Sequence, residues 1–239
     1  MISKKESWLM FDQISPTYDV VNRIMTMGLD QRWRRQLGRF LPKKDNLHVL
    51  DLATGTADVA ISLVKQVSAV SRVTAVDPAL KMLDIARKKV EKEGLSSHIF
   101  LEGGNAESLT YPDNTFDAIT ISFGVRNIEN LSKGLDEMYR VLKPGGRLLI
   151  LETSIPTNPV LWFLHLCYNR YVMPLLGRLV SRSSAYRYLN KTIETFPSGV
   201  AFSHYLSKAQ FSDVAQTPLF FGTVSIYLGD KKTNVAHVH

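Results

Sequence analysis

The chain has 239 residues, 45% hydrophobic and 21% charged, the balance of a globular protein long enough to bury a sizeable core. Its net charge is +7, and its single cysteine, Cys167, excludes an intrachain disulfide and a cysteine-only zinc centre. No run approaches the ~18 apolar residues of a transmembrane helix, and the start MISKKESWLMFDQ lacks the apolar stretch of a secretory signal. A cytoplasmic location is expected, with peripheral contact at the inner face of the cytoplasmic membrane allowed.

The basic charge is uneven. Residues 1–45 carry nine Lys/Arg against five Asp/Glu, and residues 153–193 carry Arg170, Arg178, Arg182, Arg187 and Lys191 with no acidic residue. Such a field attracts nucleic acid, anionic lipid or an acidic substrate, or is simply a solvated face.

In chain order, residues 1–45 read as an amphipathic helical cap. From 46 to 153, short apolar runs alternate with helical patterns. His48–Leu52 is a strand, followed by Ala60, Leu63, Val64 and Val67 at helical spacing. Arg72–Asp77 is a second strand, and Met82, Leu83, Ala86 and Val90 mark a second helix ended by Gly94. Ile99–Leu101 and Phe116–Ser122 are further strands. Leu131, Leu135, Met138, Tyr139 and Leu142 give a third helix closed by Pro144-Gly145-Gly146, and Arg147–Leu151 is a fifth strand. This alternation predicts a parallel α/β sheet covered on both faces, with ligands beyond the carboxyl ends of its strands. Residues 154–208 read as an aromatic-rich helical lid ahead of a last strand, within a single domain over 1–230; residues 231–239 read as a tail.

The chemistry-bearing residues cluster at strand ends. The first strand runs into Asp51-Leu-Ala-Thr-Gly55-Thr56-Ala57-Asp58, where Gly55 lets backbone approach a ligand and Asp51 is placed to reach an ammonium group; a plain tight turn is the simpler alternative. Asp77, ending the second strand, can accept the two ribose hydroxyls of an adenosine, or merely sit at a helix N-terminus. Asn105 and Ala106, past the third strand, offer a side-chain and a backbone amide to an adenine edge. Arg126 and Asn127 follow the fourth strand, which ends at Ser122. The fingerprint GxGxxG is missing, so adenosylmethionine is favoured over a nicotinamide cofactor. No metal site is expected.

Longer stretches carry a resemblance. DAITISFGVRNI (117–128), followed by EMYRVLKPGGR (137–147), strongly resembles the ubiquinone/menaquinone biosynthesis C-methyltransferase family. FDQISPTYDVVN (11–22), leading to Trp33-Arg34, looks like that family's opening signature, and SSAYRYL (183–189) resembles its third region. The likeness spans roughly residues 8–229. It implies a class I methyltransferase fold, a Rossmann-like, mostly parallel seven-stranded sheet. It also implies S-adenosyl-L-methionine held by Thr56, Asp77, Asn105, Ala106 and Ser122, and a polyprenyl quinol as methyl acceptor. Demethylmenaquinol is favoured, and the benzoquinol precursor of ubiquinone is the alternative. In that chemistry Arg126 stabilises a phenolate, Asn127 orients it, and Tyr18 and Asp19 are the candidate proton acceptors, with His165 and His204 behind them. Residues 159–180 would grip the prenyl tail and touch a membrane, or else form a packed cap or a homodimer face.

Three departures stand out. Ala53 and Ala57 occupy positions where glycine is common, and Gln210 stands where Ala-Gly-Phe is usual. A nucleic-acid methyltransferase is the rival suggested by charge, but the Asn/Asp-Pro-Pro-aromatic motif is absent and Cys167 lies outside the core. A binding subunit with a lost cofactor site fits poorly with the intact Gly55-Thr56, Asp77 and Asn105-Ala106 set.

Overall fold

The computed structural model describes residues 4–172 and 183–233. Arg178, Arg182, Met173, Leu176 and the terminal His237–His239 therefore lie outside the described residues, as do the side chains of Arg187 and His165.

Seven strands form one sheet: β1 (Leu47–Leu52), β2 (Val70–Asp77), β3 (Ile99–Gly103), β4 (Phe116–Ser122), β5 (Leu142–Thr153), β6 (Ser212–Leu219) and β7 (Val224–Asp230). Their order is β3-β2-β1-β4-β5-β7-β6, with β7 antiparallel to both β5 and β6 and the other pairings parallel. The chain order reverses between β1 and β4, so the crevice at their carboxyl ends is the natural ligand site. The central strands read as unbroken apolar runs because both faces are covered: Leu50 and Leu52 enter one core layer, Leu47 and Val49 the other.

Among the described residues the α-helices are α1 (Ser7–Met25), α2 (Leu29–Gln36), α3 (Asp58–Gln66), α4 (Leu80–Lys92), α5 (Leu131–Val141), α6 (Pro159–Cys167), α7 (Ser183–Thr195) and α8 (Val200–Lys208). α5 and α8 fill the first layer through Leu135, Met138, Phe202 and Leu206. α2, α3 and α4 fill the second through Trp33, Leu63, Ala86 and Val90. α5 starts where the Asn130 side chain accepts the Lys133 amide, satisfying one of the free N–H groups of its first turn.

Two boundaries differ from the sequence expectation. α5 ends at Val141, and Pro144-Gly145-Gly146 falls inside β5, at a register shift opposite Phe116–Ala118. A Cβ on Gly146 would stand 2.9 Å from the Asp117 carbonyl oxygen, so only glycine lets the strands close there. The expected last strand is a hairpin, β6–β7. Gln210 takes the left-handed turn (φ 70°) that glycine would adopt freely, which delivers Phe211 into the core ahead of β6.

α1 packs on α4 and crosses the ligand end of the sheet. Pro16 lies within it and cannot donate to the Asp12 carbonyl one turn back; the Ser15 hydroxyl donates to that oxygen instead, at 3.0 Å. The Asp12 carboxylate reaches across to accept the Lys81 amide in the first turn of α4 at 2.9 Å, a cap supplied by another helix. Among the described residues no helix is long and apolar enough to cross a membrane.

Candidate functional site: two adjoining chambers

Two cavities open at the carboxyl ends of the strands. The smaller, of about 230 Å³, is bounded by Gly55 after β1, Asp77 of β2, Asn105 and Ala106 after β3, and Ser122 of β4. The larger, of about 830 Å³, lies between α1, α2, α6 and the β6–β7 turn, and its walls are mainly apolar. Phe11, Tyr18, Phe123 and Asn127 belong to both walls, so the chambers meet there.

In the small chamber, Gly55 has φ 56°, and Ala53 (49°) and Ala57 (64°) share its left-handed conformation. Each alanine costs about 1–2 kcal/mol there relative to ordinary backbone, a cost the fold absorbs to keep the turn tight. Ala53 packs against Gly124, where an added Cβ would fall 2.5 Å from its methyl group. The loops after β1 and β4 therefore approach as closely as a missing side chain permits. Asp77 joins two turns: one oxygen accepts the Gly55 amide and the other the Ala79 amide, both at 2.8 Å. Asp77 lines the small chamber, and each carboxylate oxygen can accept a second hydrogen bond. The Asn105 side-chain oxygen, Oδ1, accepts the Glu107 amide at 3.0 Å, which leaves the side-chain NH2 for a ligand. Ser122 Oγ is buried and has no hydrogen-bond partner. An orphaned hydroxyl, a buried carboxylate and a side-chain amide suit the polar rim of a nucleoside.

Three sequence-predicted residues sit elsewhere. Asp51 is buried behind the turn, outside both walls, and its oxygens accept the Thr54 and Thr120 hydroxyls at 2.6 Å each. As placed, it holds the turn rather than facing a ligand ammonium. The Thr56 hydroxyl donates to Asp19 at 2.7 Å and accepts from Lys89 at 3.1 Å, and Lys89 also binds Asp19 at 3.0 Å and Asp58. Neither Thr56 nor Asp19 lines a chamber. They form a latch between α1, the Gly turn and α4, so Asp19 is not free to act as the base. Burial works to raise the Asp58 carboxyl, but Lys89 and Arg34 outweigh it and hold the group below the usual range.

At the reacting end, Arg126 Nη1 donates to Glu152 Oε1 at 2.5 Å, and Glu152 also accepts the Thr153 amide and hydroxyl at 2.7 and 3.0 Å. Arg126 is 6% exposed and Glu152 fully buried, yet Arg126 lines the large chamber, and its Nε has no partner. Sequence reasoning missed Glu152; the available signal was a carboxylate ending an apolar strand at the ligand edge. Asn127 accepts the Tyr188 hydroxyl at 3.2 Å, and burial holds that phenol above its ordinary range. Tyr18 stands in the shared wall, its ring edge-on to Phe11. His204 is exposed on α8 and lines neither chamber.

Burial pushes Asp51 and Asp77 up to about 6 from the ordinary 3.8. A carboxyl raised in this way stabilises the fold fully below its unfolded value and loses that contribution as pH rises through about 6. His48, depressed by burial, works in the opposite sense, so the effect is read against a variant. Acidification from about pH 7 to 5 is expected to stabilise the cofactor-free chain, relative to Asp51→Asn, by about 1 kcal/mol. Urea unfolding of both proteins at the two pH values measures this, and a constant difference would mean Asp51 stays ionised.

The ubiE/COQ5 methyltransferase family matches residues 2–231. A demethylmenaquinone methyltransferase of Bacteroides fragilis is 41% identical over 223 residues, covering 93% of this chain and 91% of that protein. A ubiquinone/menaquinone biosynthesis C-methyltransferase of a Geobacter species is 42% identical over 226 residues, covering 93% and 94%. Among solved structures, a SAM dependent methyltransferase from Aquifex aeolicus superposes with a TM-score of 0.61 at 20% identity, covering 83% of this chain and 89% of that one, a likeness of fold.

Proposed function

The chain belongs to the ubiE/COQ5 methyltransferase family, and from that premise we propose that it methylates a ring carbon of a polyprenyl quinol, demethylmenaquinol first, at the expense of S-adenosylmethionine. The observation that carries this reading is the shared wall. A small polar chamber and a large apolar one meet at Phe11, Tyr18, Phe123 and Asn127, as a transfer between a nucleoside cofactor and an apolar acceptor requires.

Asp77 would hold the ribose hydroxyls, Asn105 and Ala106 the adenine edge, and Ser122 a further polar atom of the cofactor. Bound there, S-adenosylmethionine supplies an electrophilic methyl group. The chain's own residues prepare the acceptor. A reduced ring with one ionised hydroxyl carries excess electron density on the neighbouring carbon. Arg126, a fixed positive charge in an apolar wall, stabilises that oxygen in the reacting state, and Glu152 keeps the guanidinium in place. Asn127 orients the hydroxyl. With Asp19 engaged by Lys89 and Thr56, Tyr18 in the shared wall is placed to pass on the ring proton. α1 roofs both chambers and keeps water from the transfer.

The mainly apolar large chamber favours a quinol over a nucleobase. Peripheral membrane contact follows the same logic: on α6, Val160, Trp162, Phe163 and Leu164 are exposed, and Leu161 and Leu164 also line the chamber. The deciding experiment incubates the protein with methyl-labelled S-adenosylmethionine and either reduced demethylmenaquinone or the reduced benzoquinol precursor, in detergent and in vesicles. Label is expected in lipid-extractable menaquinol, faster from vesicles. Faster transfer to the benzoquinol would reverse the order of acceptors, and transfer to neither, with cofactor binding intact, would overturn the reading.

A further inference from the structure

We propose that the Phe220–Phe221 turn between β6 and β7 is the gate by which the polyprenyl tail leaves the reaction chamber, and that it sets the preference for tailed over tail-less rings. The inference rests on the quinol reading above and adds to it a specificity element.

The first support is backbone conformation. Among the described residues, the large apolar side chains with positive φ are Met27 (52°), Phe123 (55°), Phe220 (39°) and Phe221 (56°), and all four line the large chamber. A bulky side chain in the left-handed region is disfavoured and persists only where surrounding contacts impose it. Those contacts are present at the turn. Thr223 donates from its amide and hydroxyl to the Phe220 carbonyl at 3.2 and 2.9 Å. The Ser154 hydroxyl donates to the Gly222 carbonyl at 2.7 Å, and the Ser154 amide to the Thr223 carbonyl at 2.9 Å. The turn is thus clamped in a shape its two phenylalanines resist, and the shape serves to hold both rings at the rim.

The second support is the path those rings begin. Phe221 is 71% exposed and stands edge-on to Phe220, with centroids 5.4 Å apart; Phe220 lies 5.8 Å from buried Trp33, and Trp33 6.3 Å from Phe123 in the shared wall. This aromatic file runs from solvent to the point where the two chambers meet. Met27, in the turn before α2, and Leu164, on α6, are exposed and also line the chamber. A volume of about 830 Å³ suits a ligand of drug size, not a bicyclic ring with its whole isoprenoid chain, so the chain must emerge through the rim.

Asparagine tolerates left-handed backbone, so Phe221→Asn and Phe220→Asn remove the rings without opposing the turn. The measurement is kcat/KM for reduced demethylmenaquinone with a long tail and for the tail-less naphthoquinol, with the melting temperature of each variant alongside. The ratio of tailed to tail-less kcat/KM is expected to fall about tenfold in either variant and to return in Phe221→Tyr, with no fall in melting temperature. An unchanged ratio in a wild-type background that methylates both rings overturns the gate alone. Failure of the wild-type protein to methylate either ring overturns the quinol reading, and the gate falls with it.

Discussion

Replacing Arg126 with alanine is expected to slow methyl transfer about a hundredfold to a thousandfold while leaving cofactor affinity unchanged. The guanidinium is buried, lines the acceptor chamber and has an uncommitted Nε–H, so it is placed to stabilise charge that grows on the acceptor oxygen. Loss of one such donor in a water-excluded site costs roughly this much in rate. The same change strands Glu152, which would keep only the Thr153 amide and hydroxyl and a long contact to the residue 126 amide. Breaking a buried pair from one side costs about 3–5 kcal/mol, so the variant should also melt well below the wild type. The two effects separate in the double variant Arg126→Ala/Glu152→Gln, where stability should largely return and the rate should not. Single-turnover transfer of label and urea unfolding supply the two readouts, and wild-type turnover by Arg126→Ala would remove Arg126 from the reaction.

Asp77→Asn is expected to weaken S-adenosylmethionine binding about a hundredfold, with the rate at saturating cofactor much less affected. A carboxylate accepts hydrogen bonds on both oxygens, whereas an amide turns a donor toward one partner. That donor would face either the Gly55 amide or the Ala79 amide, both of which now donate to Asp77. Ribose hydroxyls held by charge-assisted bonds lose about 3 kcal/mol between them when the acceptor is neutral, the equivalent of about a hundredfold in affinity. Because burial raises the Asp77 carboxyl to about 6, affinity in the wild type should also decline as pH falls through that value. Titration calorimetry across pH tests both points; equal affinity in the wild type and Asp77→Asn would take Asp77 out of the ribose site.

Strand ends are the most legible part of the candidate site. Gly55, Asp77, Asn105, Ala106 and Ser122 all fall where a predicted strand stops, and all line the small chamber. Arg126 and Asn127 likewise sit just past β4 and face the large one. Their placement needs only hydrophobic periodicity and strand boundaries, which neighbouring residues encode. The first five strands were legible for the same reason, apart from the ends of β5; the β6–β7 hairpin was read as a single last strand, and the turn at Gln210 that leads into it is set by backbone geometry against residue preference.

By itself, then, the sequence determined a doubly covered parallel sheet, a ligand edge and the polar groups along that edge. The partners of those groups belong to the tertiary structure. Arg126 meets Glu152 because β4 and β5 pair in register; Asp51 is sealed by Thr120, 69 residues away, because β1 and β4 are neighbours; Asp19 is drawn to Lys89 because α1 folds back over α4. Only that packing decides whether a carboxylate faces a ligand, holds a turn or pairs with a cation. It also forces Phe123, Phe220 and Phe221 into left-handed backbone against their local preference, and a conformation imposed by distant contacts leaves no trace in local residue preference.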